Sequence, residues 1–184
     1  MPRPSPQEWV PLAVVGRPHG VRGELRAHPF DRDSALLLAL DEVLVRFVDG
    51  ERKGEEHEVS IDGARQGNDA ILVKLHAVDD RNAAEELRGV HLCAKRGDFP
   101  AAQDGEFYAC DIVGARVVDE AGAEIGRVRE LTSYPSVDIL MVEGPAGRWE
   151  VPLVDGYIAS VDAEASLVTL RTLDGLEPIE LTKR

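Results

Sequence analysis

Residues 9–30 read "WVPLAVVGRPHGVRGELRAHPF", in which two strand-forming stretches flank a loop with three glycines. The apolar and β-branched residues on both sides are typical of strands. Glycine suits a connection whose backbone visits positive φ. The loop lacks the Gly-Lys-Ser/Thr ending of a P-loop, and it does not match the GxGxxG fingerprint that opens a helix in dinucleotide-binding proteins. We therefore interpret this stretch as two strands joined by a glycine-rich connection that displays basic groups.

The strand pattern continues to residue 95 and predicts a closed barrel. Between the later segments, "DDRNAAEELRG" at 79–89 has a capping aspartate, helix-forming alanines and a terminal glycine, so it predicts one short helix. Six short strands with one helix near the end favour a closed barrel over an open sheet. The four further strand segments lie at residues 42–48, 57–65, 70–75 and 90–96.

Residues 96–105, rich in small and charged residues with a proline and two glycines, predict a linker. We accordingly expect an N-terminal domain at 9–95 and a C-terminal domain at 106–176, both all-β and barrel-like. The C-terminal prediction rests on five β-rich segments, separated by turns, at residues 111–119, 124–132, 137–144, 147–154 and 166–173.

The charge is unevenly distributed along the chain, whose net charge is −13. Residues 1–100 carry 14 basic and 18 acidic side chains, whereas residues 101–184 carry 7 and 16. Overall acidity argues against binding nucleic acid through general attraction, because that affinity comes mainly from Lys and Arg. It favours a basic partner. The opening stretch is a local exception, since residues 9–30 contain three arginines, Arg17, Arg22 and Arg26, and only one acidic residue, Glu24.

Several function classes lack their sequence signals. No apolar run is long enough to span a membrane, and no signal peptide is evident, so we expect a cytoplasmic protein. Cys93 and Cys110 lack the spacing of a disulfide scaffold or a zinc site. The five histidines lack HxxxH or HExxH spacing, so we expect neither a metal nor a cofactor.

The hypothesis that the protein is an enzyme has little support in the sequence. His28 lies near Asp31 in the sequence, and Cys110 stands beside Asp111, so both are conceivable acid/base or nucleophilic pairs. An activated cysteine needs a nearby base or positive group, and none is evident locally. We therefore expect that the protein is not an enzyme.

Two adjacent aromatic residues, Phe107 and Tyr108, stand just after the predicted linker in a chain with 5% aromatic residues. Neighbouring residues in a strand face opposite sides, so a strand here would bury one ring and expose the other. The pair is either a packing contact or an aromatic anchor for a protein partner. Trp149 is expected in the core or at a barrel rim.

Four stretches, in order along residues 9–176, together resemble the RimM family of ribosome maturation factors. The resemblance implies a six-stranded N-terminal barrel like those of translation factors, followed by a PRC-type barrel. The four stretches are "VVGRPHGVRGEL" at 14–25, "DDRNAAEELRG" at 79–89, "EFYACDIVG" at 106–114 and "VPLVDGYIASVDAEASLVTL" at 151–170.

The resemblance also implies a function. Family members are non-enzymatic assembly factors that bind the immature small (30S) ribosomal subunit, associate with the nineteenth small-subunit ribosomal protein in the head, and promote 16S rRNA processing. Ala109 and Cys110 depart from the family, many of whose members carry another aromatic residue or a histidine there. We expect a monomer when the protein is free. The predicted partner-binding residues are Phe107, Tyr108 and Asp111, and the predicted rRNA or ribosome contacts are Arg17, His19, Gly20, Arg22 and Gly23.

An alternative function is a general RNA-binding barrel protein. It would act through Arg17, Arg22 and Arg26, and its binding to naked RNA would weaken steeply as salt is raised.

Overall fold

The computed structural model describes residues 3–31, 34–102 and 106–179. The chain divides into two compact units, Ser5–Pro100 and Ala101–Arg184, the latter joined by Met1–Pro4. Residues 96–100 of the predicted linker belong to the first unit, where Arg96 N donates to Glu8 O. Residues 103–105 of that linker lie outside the described residues.

The first unit is a closed, six-stranded barrel, as predicted. Its strand order is β1-β2-β5-β4-β3-β6, and every neighbouring pair is antiparallel. Closure leaves no strand edge unpaired. The strands are β1 (Trp9–His19), β2 (Glu24–Pro29), β3 (Glu42–Arg46), β4 (Glu56–Gln66), β5 (Ile71–Leu75) and β6 (His91–Lys95).

Alternating side chains fill the barrel. In β2, Leu25 and Ala27 are buried, whereas Arg26 and His28 on the other face are half-buried. The inward residues form one hydrophobic cluster in which Val43, Val73 and Leu92 are fully buried. A short 3-10 turn, Leu36–Leu38, seats Leu37 in the same core.

The predicted helix, α1 (Arg81–Glu86), lies between β5 and β6. Asp80 caps it, because its Oδ1 accepts hydrogen bonds from Asn82 N at 2.8 Å and Ala83 N at 2.9 Å. Gly89 follows the helix with a φ of +85°. The helix therefore begins and ends on the residues expected from helix-capping chemistry.

The second unit is a six-stranded sheet with strand order β10-β9-β8-β7-β12-β11. Only β12 and β7 pair in parallel among the described strands. Trp149 is buried in its core, as expected. The strands are β7 (Arg116–Asp119), β8 (Glu124–Ser133), β9 (Asp138–Gly144), β10 (Gly147–Pro152), β11 (Ile158–Asp162) and β12 (Leu167–Leu170). The sequence prediction had omitted β11.

One local prediction was wrong. Phe107 and Tyr108 do not lie in a strand, because they lead into a short helix, α2 (Ala109–Ile112). Asp111 N donates to Tyr108 O at 2.9 Å, which closes the first helical turn. Gly114, with a φ of +86°, then turns the chain into β7. The expectation of one buried and one exposed ring therefore does not apply, and both residues are half-buried.

Candidate functional site

The glycine-rich stretch at residues 16–23 covers the end of β1 and the turn into β2, and we call it the β1–β2 connection. It displays two arginines whose side chains have no partner among the described residues. Arg17, near the end of β1, and Arg22, in the turn, are exposed. Neither forms a hydrogen bond or ion pair with another residue that the structure describes. Val21 stands between them in the turn with 74% of its surface exposed. The connection therefore presents two unneutralised guanidinium groups beside an apolar side chain, which suits binding to phosphate or carboxylate groups.

The two glycines of the predicted set, Gly20 and Gly23, shape the turn between β1 and β2. Gly20 has a φ of +66° and Gly23 a φ of +76°. A Cβ on Gly23 would lie 1.9 Å from Val78 O, just before α1. Glycine at position 23 is therefore required both by its backbone conformation and by the closeness of the neighbouring chain.

Other basic groups around the turn are partly neutralised. His19 is half-buried, with Nδ1 3.5 Å from Arg26 Nη2. Arg26 in turn donates from Nη1 to Asp69 Oδ1 at 2.7 Å. Arg65 donates to both carboxylate oxygens of Glu24, each at 3.0 Å. Three arginines carry the alternative RNA-binding hypothesis. Among the described residues, Arg17 and Arg22 have no partner, whereas Arg26 is paired with Asp69.

The predicted partner-binding residues fall into two groups. Phe107 packs against the core of the second unit with part of its ring exposed, and Tyr108 is half-buried at the start of α2. Asp111, in contrast, is buried, with 2% of its surface exposed. Arg3 donates from Nε to its Oδ1 at 3.2 Å, and Cys110 Sγ lies 3.9 Å from the same oxygen. Asp111 is therefore a buried residue of α2 whose carboxylate is bonded to Arg3.

The residues considered for catalysis are distributed over both units. His28 and Asp31 belong to the first unit, whereas Cys110 belongs to the second. The ring of His28 lies over Gly16, where a Cβ would be 2.7 Å from its Nε2. Burial raises the pKa of the Cys93 thiol to about 11, which keeps it protonated and unreactive. Within the described ranges no three His, Cys, Asp or Glu side chains are grouped to hold a metal ion.

Sequence reasoning missed two features of the second unit. Arg3, in the proline-rich start of the chain, is the partner of Asp111, and no local pattern indicates a contact so far along the sequence. Tyr134 and Val154 are exposed apolar side chains in loops. A tyrosine between serine and proline in a turn is the one signal that points to exposure there. None of the helices in the described part of the chain has the length and apolar character that a membrane crossing requires.

Comparisons with known proteins agree with this two-unit architecture. Residues 10–99 match the RimM N-terminal domain, and residues 109–176 match the RimM PRC barrel domain. The ribosome maturation factor RimM of Sorangium cellulosum is 44% identical over 92% of this chain and 98% of its own. The protein of the same name from Rhodopseudomonas palustris is 31% identical over 95% and 98%.

A solved structure also aligns with the chain. It is that of a putative 16S ribosomal RNA processing protein RimM from Pseudomonas aeruginosa, which is 22% identical over 90% of this chain and 98% of its own, with a TM-score of 0.44. The matches to both domain models, in order, and to full-length relatives show that the chain belongs to the RimM family of ribosome maturation factors.

Proposed function

We propose that this protein is a non-enzymatic assembly factor that binds the nineteenth small-subunit ribosomal protein in the head of the immature 30S subunit and promotes 16S rRNA processing. The family supports the general class, because the relatives are named ribosome maturation factors. The protein would act by binding its partners and would not catalyse a reaction. The proposal places the protein in the cytoplasm and makes it a monomer when free.

The observation that carries the proposal is the separation of charge between the two units. Residues 101–184 have 16 acidic and 7 basic side chains, whereas the β1–β2 connection presents the unpaired Arg17 and Arg22. Ribosomal proteins are typically basic, and a complementary acidic surface speeds their encounter and orients them. We therefore assign the ribosomal protein to the second unit, and rRNA or the same partner to the β1–β2 connection.

Phe107 and Tyr108 are the proposed anchor on the second unit. Both residues are half-buried just before α2, and Phe107 packs against the core of the second unit. Partly exposed aromatic residues on a rigid support are typical of interface hot spots. Asp111 takes a positioning role in this proposal, because it stabilises α2 from the buried side.

The proposal is tested by calorimetric titration of the protein with the purified nineteenth ribosomal protein at two salt concentrations. We expect saturable binding that weakens by about tenfold or more when Phe107→Ala and Tyr108→Ala are combined, as for an interface hot spot. Phe30→Ala is the matched control, because Phe30 is an exposed aromatic residue of the first unit. Unchanged binding by a folded Phe107/Tyr108 variant would remove these residues from the interface.

The alternative, a general RNA-binding protein, is favoured by one observation, the two unpaired arginines of the β1–β2 connection. A parallel titration with naked 16S rRNA separates the two functions. Binding to RNA alone, with a steep loss as salt is raised, would transfer the function to the first unit. Binding to the ribosomal protein with little RNA affinity supports the assembly-factor proposal.

A further inference from the structure

One end of the sheet in the second unit exposes two large apolar side chains. Tyr134, in the turn between β8 and β9, has 57% of its surface exposed, and Val154, just after β10, has 44%. Among the described residues, six large hydrophobic side chains are exposed by 37% or more. Two of them therefore lie in adjacent loops, and we call them the Tyr134–Val154 surface.

Backbone hydrogen bonds bring the two loops together. Ser133 pairs with Asp138 at the end of the β8–β9 ladder. Asp138 O then accepts a hydrogen bond from Leu153 N at 2.8 Å, which links this turn to the residue before Val154. The two apolar side chains therefore belong to neighbouring positions at the same end of β8, β9 and β10.

Both loops are fixed by bonds within their own turns. Tyr134 N donates to Val137 O at 3.2 Å, which closes the first turn. Val154 O accepts from both Tyr157 N and Ile158 N at 2.9 Å, which closes the second. The Tyr134 hydroxyl has no hydrogen-bond partner among the described residues. A tyrosine whose backbone is fixed in a turn and whose hydroxyl is free offers a partner both apolar area and a polar contact. Its binding costs little conformational entropy, because the side chain has only two rotatable angles.

The charge around this surface is acidic. Asp138 begins β9 at the end of the turn that holds Tyr134, and Asp155 directly follows Val154. Neither carboxylate forms an ion pair with another described residue. Arg171 reaches this end, where its Nε donates to Asp155 O at 3.0 Å, but its guanidinium is 3.6 Å from Glu120. The guanidinium near Val154 is thus already matched to a carboxylate, while Asp138 and Asp155 are not.

An apolar centre with an acidic surround selects the chemistry of its occupant. Nucleic acid would bring phosphates against Asp138 and Asp155, and the described residues at this end include no unpaired basic side chain to neutralise them. A polypeptide segment rich in Lys and Arg, with an apolar residue to cover Tyr134 and Val154, satisfies both the charge and the apolar area.

This surface is separate from the proposed Phe107 and Tyr108 anchor. The helix α2 packs against β8, and Gly114 N donates to Val128 O at the beginning of that contact. Tyr134 lies six positions after Val128, which is about 20 Å along an extended chain. A single extended segment or two segments of one partner can therefore occupy both.

We propose that the Tyr134–Val154 surface is a second partner-binding surface, which takes a basic, extended polypeptide segment with an apolar anchor residue. The inference rests on the proposed function, since it extends the binding surface for a basic ribosomal protein on the second unit. It adds two contact residues and the chemistry of the segment that covers them.

The test uses the full chain, labelled with ¹⁵N, and two probes of equal length: a synthetic Arg/Lys-rich peptide with a central leucine, and a single-stranded RNA. We expect the peptide to shift the amide signals of residues 133–138 and 153–156, and the RNA to leave them unchanged. The paired variant Tyr134→Ser with Val154→Ser should weaken peptide binding by about tenfold, as for an interface hot spot. Ile179→Ser is the matched control, because Ile179 is an exposed apolar residue of the same unit.

The outcomes separate this inference from the proposed function. If the nineteenth ribosomal protein binds the paired Tyr134/Val154 variant as it binds the unchanged protein, while the Phe107/Tyr108 variant loses binding, the inference is wrong and the proposed function stands. If that ribosomal protein does not bind at all, the proposed function fails. A photo-crosslinking residue at position 134, in immature 30S subunits, then decides: a crosslink to a basic protein supports the surface, and crosslinks to rRNA alone overturn it.

Discussion

Arg3 donates a hydrogen bond from Nε to the buried Oδ1 of Asp111 at 3.2 Å, although the two residues are 108 positions apart. Asp111 is 2% exposed, and Arg3 retains about 40% of its side-chain surface. The guanidinium thus compensates a carboxylate that is almost completely buried, in the helix that follows the proposed Phe107 and Tyr108 anchor.

Arg3→Ala is expected to destabilise the second unit by about 1–3 kcal/mol, because it leaves a buried carboxylate short of a charged partner. Thermal or urea unfolding measures the loss, with Arg52→Ala as the control, since Arg52 pairs with Glu55 at the surface. In a second background that carries Asp111→Asn, Arg3→Ala should lower the free energy of unfolding by less, because the buried group is then neutral. Equal losses for Arg3→Ala in both backgrounds would show that the pair has no coupling energy.

Gly23→Ala is expected to destabilise the first unit by at least about 3 kcal/mol, because the new Cβ would lie 1.9 Å from Val78 O and the backbone has positive φ. Gly20→Ala is the matched control. It has the same sign of φ, but nothing lies within 4 Å of its Cβ, so the cost should be about 1–2 kcal/mol. Denaturant midpoints measure both, and equal costs would contradict the predicted clash.

Combining Arg17→Ala with Arg22→Ala should weaken binding to immature 30S subunits without lowering protein stability, because neither side chain bonds to another residue that the structure describes. If both contact phosphates, the slope of log affinity against log salt should fall by about 2. Binding measured across a salt series gives this slope. The control is Arg65→Ala, whose guanidinium is paired with Glu24; an equal effect there would mean that general charge, rather than this connection, governs binding.

His91 should make the first unit less stable in mild acid. Burial lowers the pKa of His91 below its usual 6.5, and the nearby Arg46 lowers it further, while Asp49 opposes the shift. Because the unfolded chain binds a proton more readily, this contribution to stability is fully present above about pH 6.5 and is lost as the pH falls through the lowered value.

Urea unfolding between pH 5 and pH 8 tests this prediction. His91→Gln should flatten the part of the pH dependence that begins near 6.5, because glutamine does not titrate there. His57→Gln is the control at an exposed site. If the His91 variant kept the full pH dependence, another group would be responsible.

The first unit was predictable because its determinants are local. Strand alternation such as that of Leu25 and Ala27 in β2, the Asp80 cap and Gly89 are all readable in short windows of sequence. The glycine-rich connection likewise reveals its positive φ values through Gly20 and Gly23. β11 was missed because its short stretch, "IASVD", has too little apolar alternation to exceed the signal of the surrounding turns.

Local sequence patterns were sufficient to predict the all-β class, the six strands and helix of the first unit, and the acidic character of the second half. The three-dimensional structure was needed to show that Asp111 is buried against Arg3, that Arg17 and Arg22 have no partner among the described residues while Arg26 pairs with Asp69, and that the loops of Tyr134 and Val154 are linked at one end of β8, β9 and β10. The difference arises from the distance along the chain over which each effect acts. Propensity and alternation act over a few residues, whereas burial and ion pairing depend on which distant segments the closed barrel and the second sheet bring into contact.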